Sequence, residues 1–210
     1  MVSREKHSMI GILDYGAGNL HSVNNALTFL GAKSEIICEK NDISSFDSLI
    51  IPGVGSFHNA MKKFNEKEIV QPILDFANSG KPILGICLGM QILATSGYEP
   101  VKTKGLNLIP GEVRSIRTSL KLPHVGWNGI TINKECSLLK GVKLNADFYF
   151  VHSYHFIPDD NDSIVAFTNY GKSFVSCINI ENIYGIQFHP EKSQKQGLRI
   201  LKNYIDLINA

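Results

Sequence analysis

Short apolar runs alternate with helix-patterned stretches through the first half of the chain. "MIGILD", Met9–Asp14, precedes a segment in which Leu20, Val23, Leu27 and Leu30 recur on one helical face. Asn19 stands at the cap position of that helix and Gly31 at its stop. "SEIICE" reads as the next strand and "SLIIPGVG" as a third, broken by Pro52 and two glycines. A polar segment follows, then a helix ending near "NSG". "KPILGI" is a fourth strand, and Leu88–Thr95 has helical character. This strand–helix rhythm predicts a parallel sheet covered by helices on both faces.

The second half has a different period. "GEVRSIRT", "NGITIN", "DFYFVHSY", "SIVAFTN", "SFVSCINI" and "IYGIQF" are short, often alternating, and separated by turn residues, so they read as strands. A closing helix over 194–208 carries Leu198, Ile200, Leu201, Tyr204 and Ile205. The expected fold is one α/β domain: a mostly parallel open sheet with helices on both faces, and added antiparallel strands in the C-terminal half. In such sheets chemistry gathers at the carboxyl ends of the strands, here Asp14–Asn19, Pro52–Gly55 and Cys87.

Composition narrows the classes. The 210 residues suffice for one well-buried core, and 43% hydrophobic with 19% charged residues describes an ordinary globular chain. A formal net charge of +2, with scattered Lys and Arg, gives no nucleic-acid footprint. No apolar run reaches membrane-span length, and "MIGIL" is too short for a signal core, so a cytoplasmic protein is expected. Residues 1–8, "MVSREKHS", read as a tail, with Met9 an alternative start and the domain running over 9–210. Cys38, Cys87, Cys136 and Cys177 form no CxxC pair, which speaks against zinc and against a disulfide framework. "GAGNLH" lacks the third glycine of a dinucleotide loop and the Lys-Ser/Thr of a phosphate loop, and no metal or cofactor is expected.

The candidate chemistry centres on "GICLGMQ", Gly85–Gln91. A cysteine between glycines at a strand end fits a sharp elbow that exposes Cys87 at a helix N-terminus, where the dipole favours a thiolate. The Leu88 N–H would face a developing oxyanion. Cysteine is also among the most buried residue types, and these seven residues alone fit a structural thiol equally well. "QFHPEKS" supplies the second piece. His189 follows an apolar strand, and Glu191, two residues on, can orient and charge-stabilise its imidazole. His124, His152 and His155 compete for the base role but lack such a carboxylate; His152 reads as packed or substrate-lining. The glycines of "IIPGVGSF" can turn N–H groups of Gly53 and Val54 toward the thiol, completing an oxyanion hole with Leu88.

Together "DYGAGNLHSV", "PGVGSF", "GICLGMQ", "LPHVGWN", "FVHSY" and "GIQFHPEKS" resemble the class I, triad-type glutamine amidotransferases, in that family's order and across nearly the whole chain. "PGVGSF", "GWN" and "HPEKS" are most similar to the glutaminase subunits of imidazole glycerol phosphate synthases. The resemblance implies a Cys87–His189–Glu191 triad that hydrolyses glutamine to glutamate and ammonia. It implies substrate contacts from Gln91, Glu99 and the backbone of Ser153 and Tyr154, with Glu99 placed in a loop by counting from Cys87. It also implies a heterodimer with a (β/α)8 cyclase that receives the ammonia and makes imidazole glycerol phosphate and an aminoimidazole carboxamide ribonucleotide in histidine biosynthesis. Asn19, Trp127 and Lys192 would face that partner. Two alternatives stand beside this reading: a paralogue supplying ammonia for surface-sugar amination, and a stand-alone cysteine hydrolase.

Overall fold

A computed structural model describes residues 8–209. Most of the expected tail lies outside the described residues. Ser8, within them, approaches the Ile208 carbonyl with its hydroxyl at 3.4 Å. The first half contains β1 (Met9–Leu13), α1 (Leu20–Phe29), β2 (Lys33–Ile37), β3 (Ser48–Gly53), α2 (Phe57–Glu66), α3 (Val70–Asn78), β4 (Ile83–Cys87) and α4 (Leu88–Gln91). Then come β5 (Ser96–Tyr98), β6 (Lys102–Lys104), β7 (Gly111–Ser115), β8 (His124–Gly129), β9 (Thr131–Ile132), β10 (Asp147–His152) and β11 (Tyr154–Pro158). The chain closes with β12 (Ile164–Tyr170), β13 (Lys172–Ile180), β14 (Ile183–Ile186) and α5 (Gln194–Ile208).

The main sheet has eight strands in the order β2-β1-β3-β4-β14-β13-β12-β9. Strands β2, β1, β3, β4 and β14 run parallel, and β13, β12 and β9 extend the sheet antiparallel. A two-stranded sheet, β10-β8, and a four-stranded one, β11-β7-β5-β6, stand beside it; the expected antiparallel strands of the C-terminal half include β13, β12 and β9, while β5 and β6 precede that half and β5 pairs parallel with β7. Strands β3 and β4 are buried along their whole length, the signature of a parallel sheet covered on both faces. Their side chains divide accordingly. Leu49 and Ile51 join the core under α2 and α3, while Ile50, Leu84 and Ile86 join the core under α1 and α5. Tyr204 of α5 donates its buried hydroxyl to the carbonyls of Leu49 and Pro82, at 2.8 and 3.0 Å, pinning the last helix to the sheet.

Three local expectations are corrected. The stretch after β3 is not a polar segment before one helix but two helices. Phe57, Ala60, Met61 and Phe64 keep a helical period that buries them among a polar majority. The helix after Cys87 ends at Gln91 rather than reaching Thr95. Glu99 lies in a loop as expected, just after the short strand β5, which pairs with both β6 and β7. "DFYFVHSY" is not one strand: it breaks at Ser153, where the chain leaves β8 for β7. Asn19 precedes α1 as expected, but its side chain makes no capping hydrogen bond.

Candidate active site

Cys87 closes β4 and opens α4 with φ 56° and ψ −110°. A side chain in that region costs about 1–3 kcal/mol, and the surrounding structure must enforce it. Two glycines make the corner possible. A Cβ on Gly85 would come within 2.6 Å of the Gly89 carbonyl oxygen, and a Cβ on Gly89 would overlap that of Ile51. Helix and strand therefore close on each other at backbone distance, and the thiol is turned toward the neighbouring segments. With only one turn, α4 contributes free N–H groups but little of the macrodipole expected to favour a thiolate.

His189 reaches the thiol from β14, the next strand in the sheet. Its backbone N–H donates to the Tyr149 carbonyl at 2.9 Å. The Ser193 hydroxyl donates to the His189 carbonyl at 2.6 Å and accepts from the Tyr149 N–H at 2.9 Å. The imidazole Nδ1 lies 2.9 Å from Glu191 Oε1, with side chains only 3% and 1% exposed. Nε2 is buried and makes no protein hydrogen bond. Burial by itself would lower the imidazole pKa. Contacts with Cys87 and Glu191 outweigh it and push the value up to about 10.

A cleft of about 150 Å³ opens above the thiol. Cys87, Leu88, Gln91, Val54, Glu99, Ser153 and Tyr154 line it, together with Gly55, Val151 and His152. Most of the sequence-predicted set therefore meets in one place. Gly53 lies just beneath, paired with Cys87 across β3 and β4. Glu99 projects from the end of β5 and accepts from the Phe57 N–H at 3.1 Å, at the start of α2. Partial burial raises its carboxyl pKa, against the opposing pull of that N–H.

The partner-facing candidates divide. Trp127 is 49% exposed and packs edge-on against Tyr149, and Lys192 lies over the same Tyr149 ring at 5.5 Å. Asn19 is half-buried and follows Gly18, where an added Cβ would meet the Pro52–Gly53 backbone at 3.5–3.6 Å. A broader depression of about 620 Å³ runs from Asp14–Leu20 to α2 and shares Val54 and Gly55 with the cleft.

Two residues near the thiol escaped the sequence reading. Gln187 is wholly buried, and its Nε2 lies 3.6 Å from Cys87 Sγ. An amide in an otherwise apolar strand, "IYGIQF", was the available signal. Tyr15 has a buried hydroxyl without a protein partner, close against Gly53. Burial first, then the proximity of Cys87, raises its pKa. Among the described residues, no cluster of His, Cys, Asp and Glu could hold a metal ion. No described helix is long and apolar enough to cross a membrane.

The profile of the family described as Glutamine amidotransferase class-I matches residues 11–207. A protein of Methanocaldococcus jannaschii named imidazole glycerol phosphate synthase subunit HisH is 47% identical over 95% of this chain and 100% of its own. The protein of that name from Desulfitobacterium hafniense is 43% identical over 96% and 95%. Among solved structures, PurLQS from Thermotoga maritima superposes with a TM-score of 0.76 at 16% identity, covering 96% of this chain and 99% of that one. A glutamine amidotransferase from Thermotoga maritima gives 0.66 at 15%, covering 96% and 82%. At those identities the structural likenesses speak for the fold.

Proposed function

The chain belongs to the class I glutamine amidotransferase family, and we propose that it is the glutaminase subunit of an imidazole glycerol phosphate synthase, acting through Cys87, His189 and Glu191. The observation that carries the chemistry is the strained Cys87 elbow beneath a cleft, facing an imidazole whose other nitrogen is held by a buried carboxylate.

Cys87 Sγ attacks the side-chain amide carbon of glutamine. His189 receives the thiol proton and delivers it to the departing ammonia, leaving a glutamyl thioester that water hydrolyses to glutamate. Glu191 fixes the proton on Nδ1 and stabilises the imidazolium. The tetrahedral oxyanion is received by N–H groups of Leu88 and of the Gly53–Val54 turn, which the strand register sets beside the thiol. The substrate's ammonium pairs with Glu99. The carbonyls of Ser153 and Tyr154 already accept from Ile116 and from Gln91 and His152. That segment therefore offers a substrate carboxylate its N–H groups.

Free ammonia would be protonated in water, so its use requires a covered route to a second enzyme. The exposed Trp127 with its Tyr149 and Lys192 neighbours, and the Asn19 region beside the depression along α2, are the surfaces assigned to a partner. They form the face for a (β/α)8 cyclase in a heterodimer. The cyclase uses the ammonia to form imidazole glycerol phosphate and the carboxamide ribonucleotide, in histidine biosynthesis. The relatives named above favour this client over surface-sugar amination. The four cysteines are free, in keeping with a cytoplasmic location. The domain spans 9–210.

The test pairs the chain with its cyclase. Cys87→Ala should abolish glutamine-dependent synthesis and leave ammonia-dependent synthesis intact; loss of both overturns the division of labour. Glutaminase activity should also rise when the cyclase is added. Full activity in the isolated chain would overturn the subunit reading in favour of a stand-alone hydrolase.

A further inference from the structure

We infer that Gln187 is a catalytic hydrogen-bond donor to the Cys87 sulfur, and that the same amide braces the substrate-facing Gln91. This deepens the glutaminase reading and rests on it.

The donor direction follows from the network. The carbonyl of Tyr154 can only accept, so the group that Gln91 places 2.9 Å from it is its Nε2. The second hydrogen of that nitrogen points to Gln187, 3.0 Å away, so Gln187 presents its Oε1 there. Its Nε2 is left facing Cys87 Sγ at 3.6 Å, an ordinary N–H···S separation. The orientation of both amides is thus fixed by one backbone carbonyl. It also leaves Gln91 Oε1 as the free acceptor in the cleft, since both its N–H groups are used.

Burial gives the amide its cost and its purpose. Gln187 lies between Ile186 and Phe188, all three essentially inaccessible. An apolar side chain would fill that position without a desolvation penalty. The side-chain partners the amide has found are the nucleophile and the residue that contacts substrate. With α4 too short for a strong dipole, a side-chain N–H beside the sulfur is the means the structure offers, together with His189, to stabilise negative charge on the sulfur during attack. The other titratable groups facing the sulfur are His189 and Tyr15, with His152 and Glu99 along the cleft. None of these is altered by changing Gln187.

The test reads the sulfur directly. Wild-type, Gln187→Met and Gln187→Glu chains, each in complex with the cyclase, are treated with iodoacetamide across pH. Modification is followed by mass spectrometry at the peptide containing Cys87. Methionine keeps the volume but removes the donor, so the pH midpoint of Cys87 alkylation should rise by about one unit. Gln187→Glu should raise it further, because a carboxylate then faces the thiolate. Glutamine-dependent kcat should fall by roughly tenfold or more in both, with co-elution of the variant chain and the cyclase in size-exclusion chromatography as the sign of an intact complex. An alkylation profile superimposable on wild type, in whichever variant remains folded, overturns the inference even if activity drops. A wild-type chain without glutaminase activity would instead overturn the underlying functional reading, a result separable from the alkylation data.

Discussion

Two histidine-bearing segments lie near Cys87, one of them lining its cleft, and their imidazoles are shifted in opposite directions. His189, on the turn after β14, is driven up to about 10 despite burial, by Cys87 and Glu191. His152, at the end of β10, is pushed down to about 3, first by burial and then by the neighbouring His124, His155 and His189. The bonding differs in the same sense. His152 uses both nitrogens, Nδ1 donating to the Tyr154 carbonyl at 2.8 Å and Nε2 facing His124 Nδ1 at 3.2 Å. His189 spends one nitrogen on Glu191, and its buried Nε2 has no protein hydrogen-bond partner. Comparable burial therefore yields an acid–base group in one place and a neutral wall in the other. The difference lies in the neighbours: His189 has Cys87 and a carboxylate two residues along the chain, where His152 has a backbone carbonyl and other rings.

The largest effect should come from removing the charged member. His189→Ala should lower glutamine-dependent kcat by on the order of 10⁴-fold, measured as glutamate release in the complex. A comparable loss from His152→Asn would break the contrast, because His152→Asn should cost less than about tenfold, the worth of one hydrogen bond. Glu191→Gln should fall between them, at roughly 10²-fold, and should shift the rate profile. Loss of the carboxylate lowers the His189 pKa, so the alkaline limb of the profile should move to lower pH. An unmoved limb would dissociate Glu191 from the charge on His189.

Stability sharpens the same comparison. The folded-state value of His152 is depressed from 6.5, so its contribution is present above pH 6.5 and lost as pH falls toward about 3. His189 has a raised value. Its contribution is complete below 6.5 and is lost only as pH rises through about 10, so it stays constant on the acid side. Between pH 6.5 and 5, His152 should cost the wild type about 2 kcal/mol, and His152→Asn should be spared that part in urea titrations. Equal slopes in the two proteins would overturn this assignment. The smallest effect belongs to the partner-facing surface. Lys192→Ala should weaken cyclase binding by only about threefold without altering the triad, as expected of an exposed charge; an unchanged binding isotherm would remove Lys192 from the interface.

How much was legible follows from the range of the signals. The parallel half could be read because β3 and β4 are continuous apolar runs broken by glycines, and the proposed triad could be suggested because Cys87 and the His189–Glu191 pair each sit within a short local pattern. The helix α2 was missed because its buried Phe57 and Phe64 are diluted by lysines and asparagines. Gln187 was missed because its partners, Cys87 and Gln91, lie on other elements and no local spacing refers to them.

The sequence by itself determined which residue types could react and which strands could carry them, since those depend on side-chain identity and on neighbours within one turn or strand. Only the tertiary structure decided which histidine carries charge, that the thiol is turned out on a strained corner, and that "DFYFVHSY" breaks at Ser153 to wall the cleft. It also decided the direction of the Tyr154–Gln91–Gln187–Cys87 hydrogen bonds. Desolvation and hydrogen-bond direction are set by atoms from distant parts of the chain, and these come together only when β4, β14 and the β10–β11 break meet at one end of the sheet.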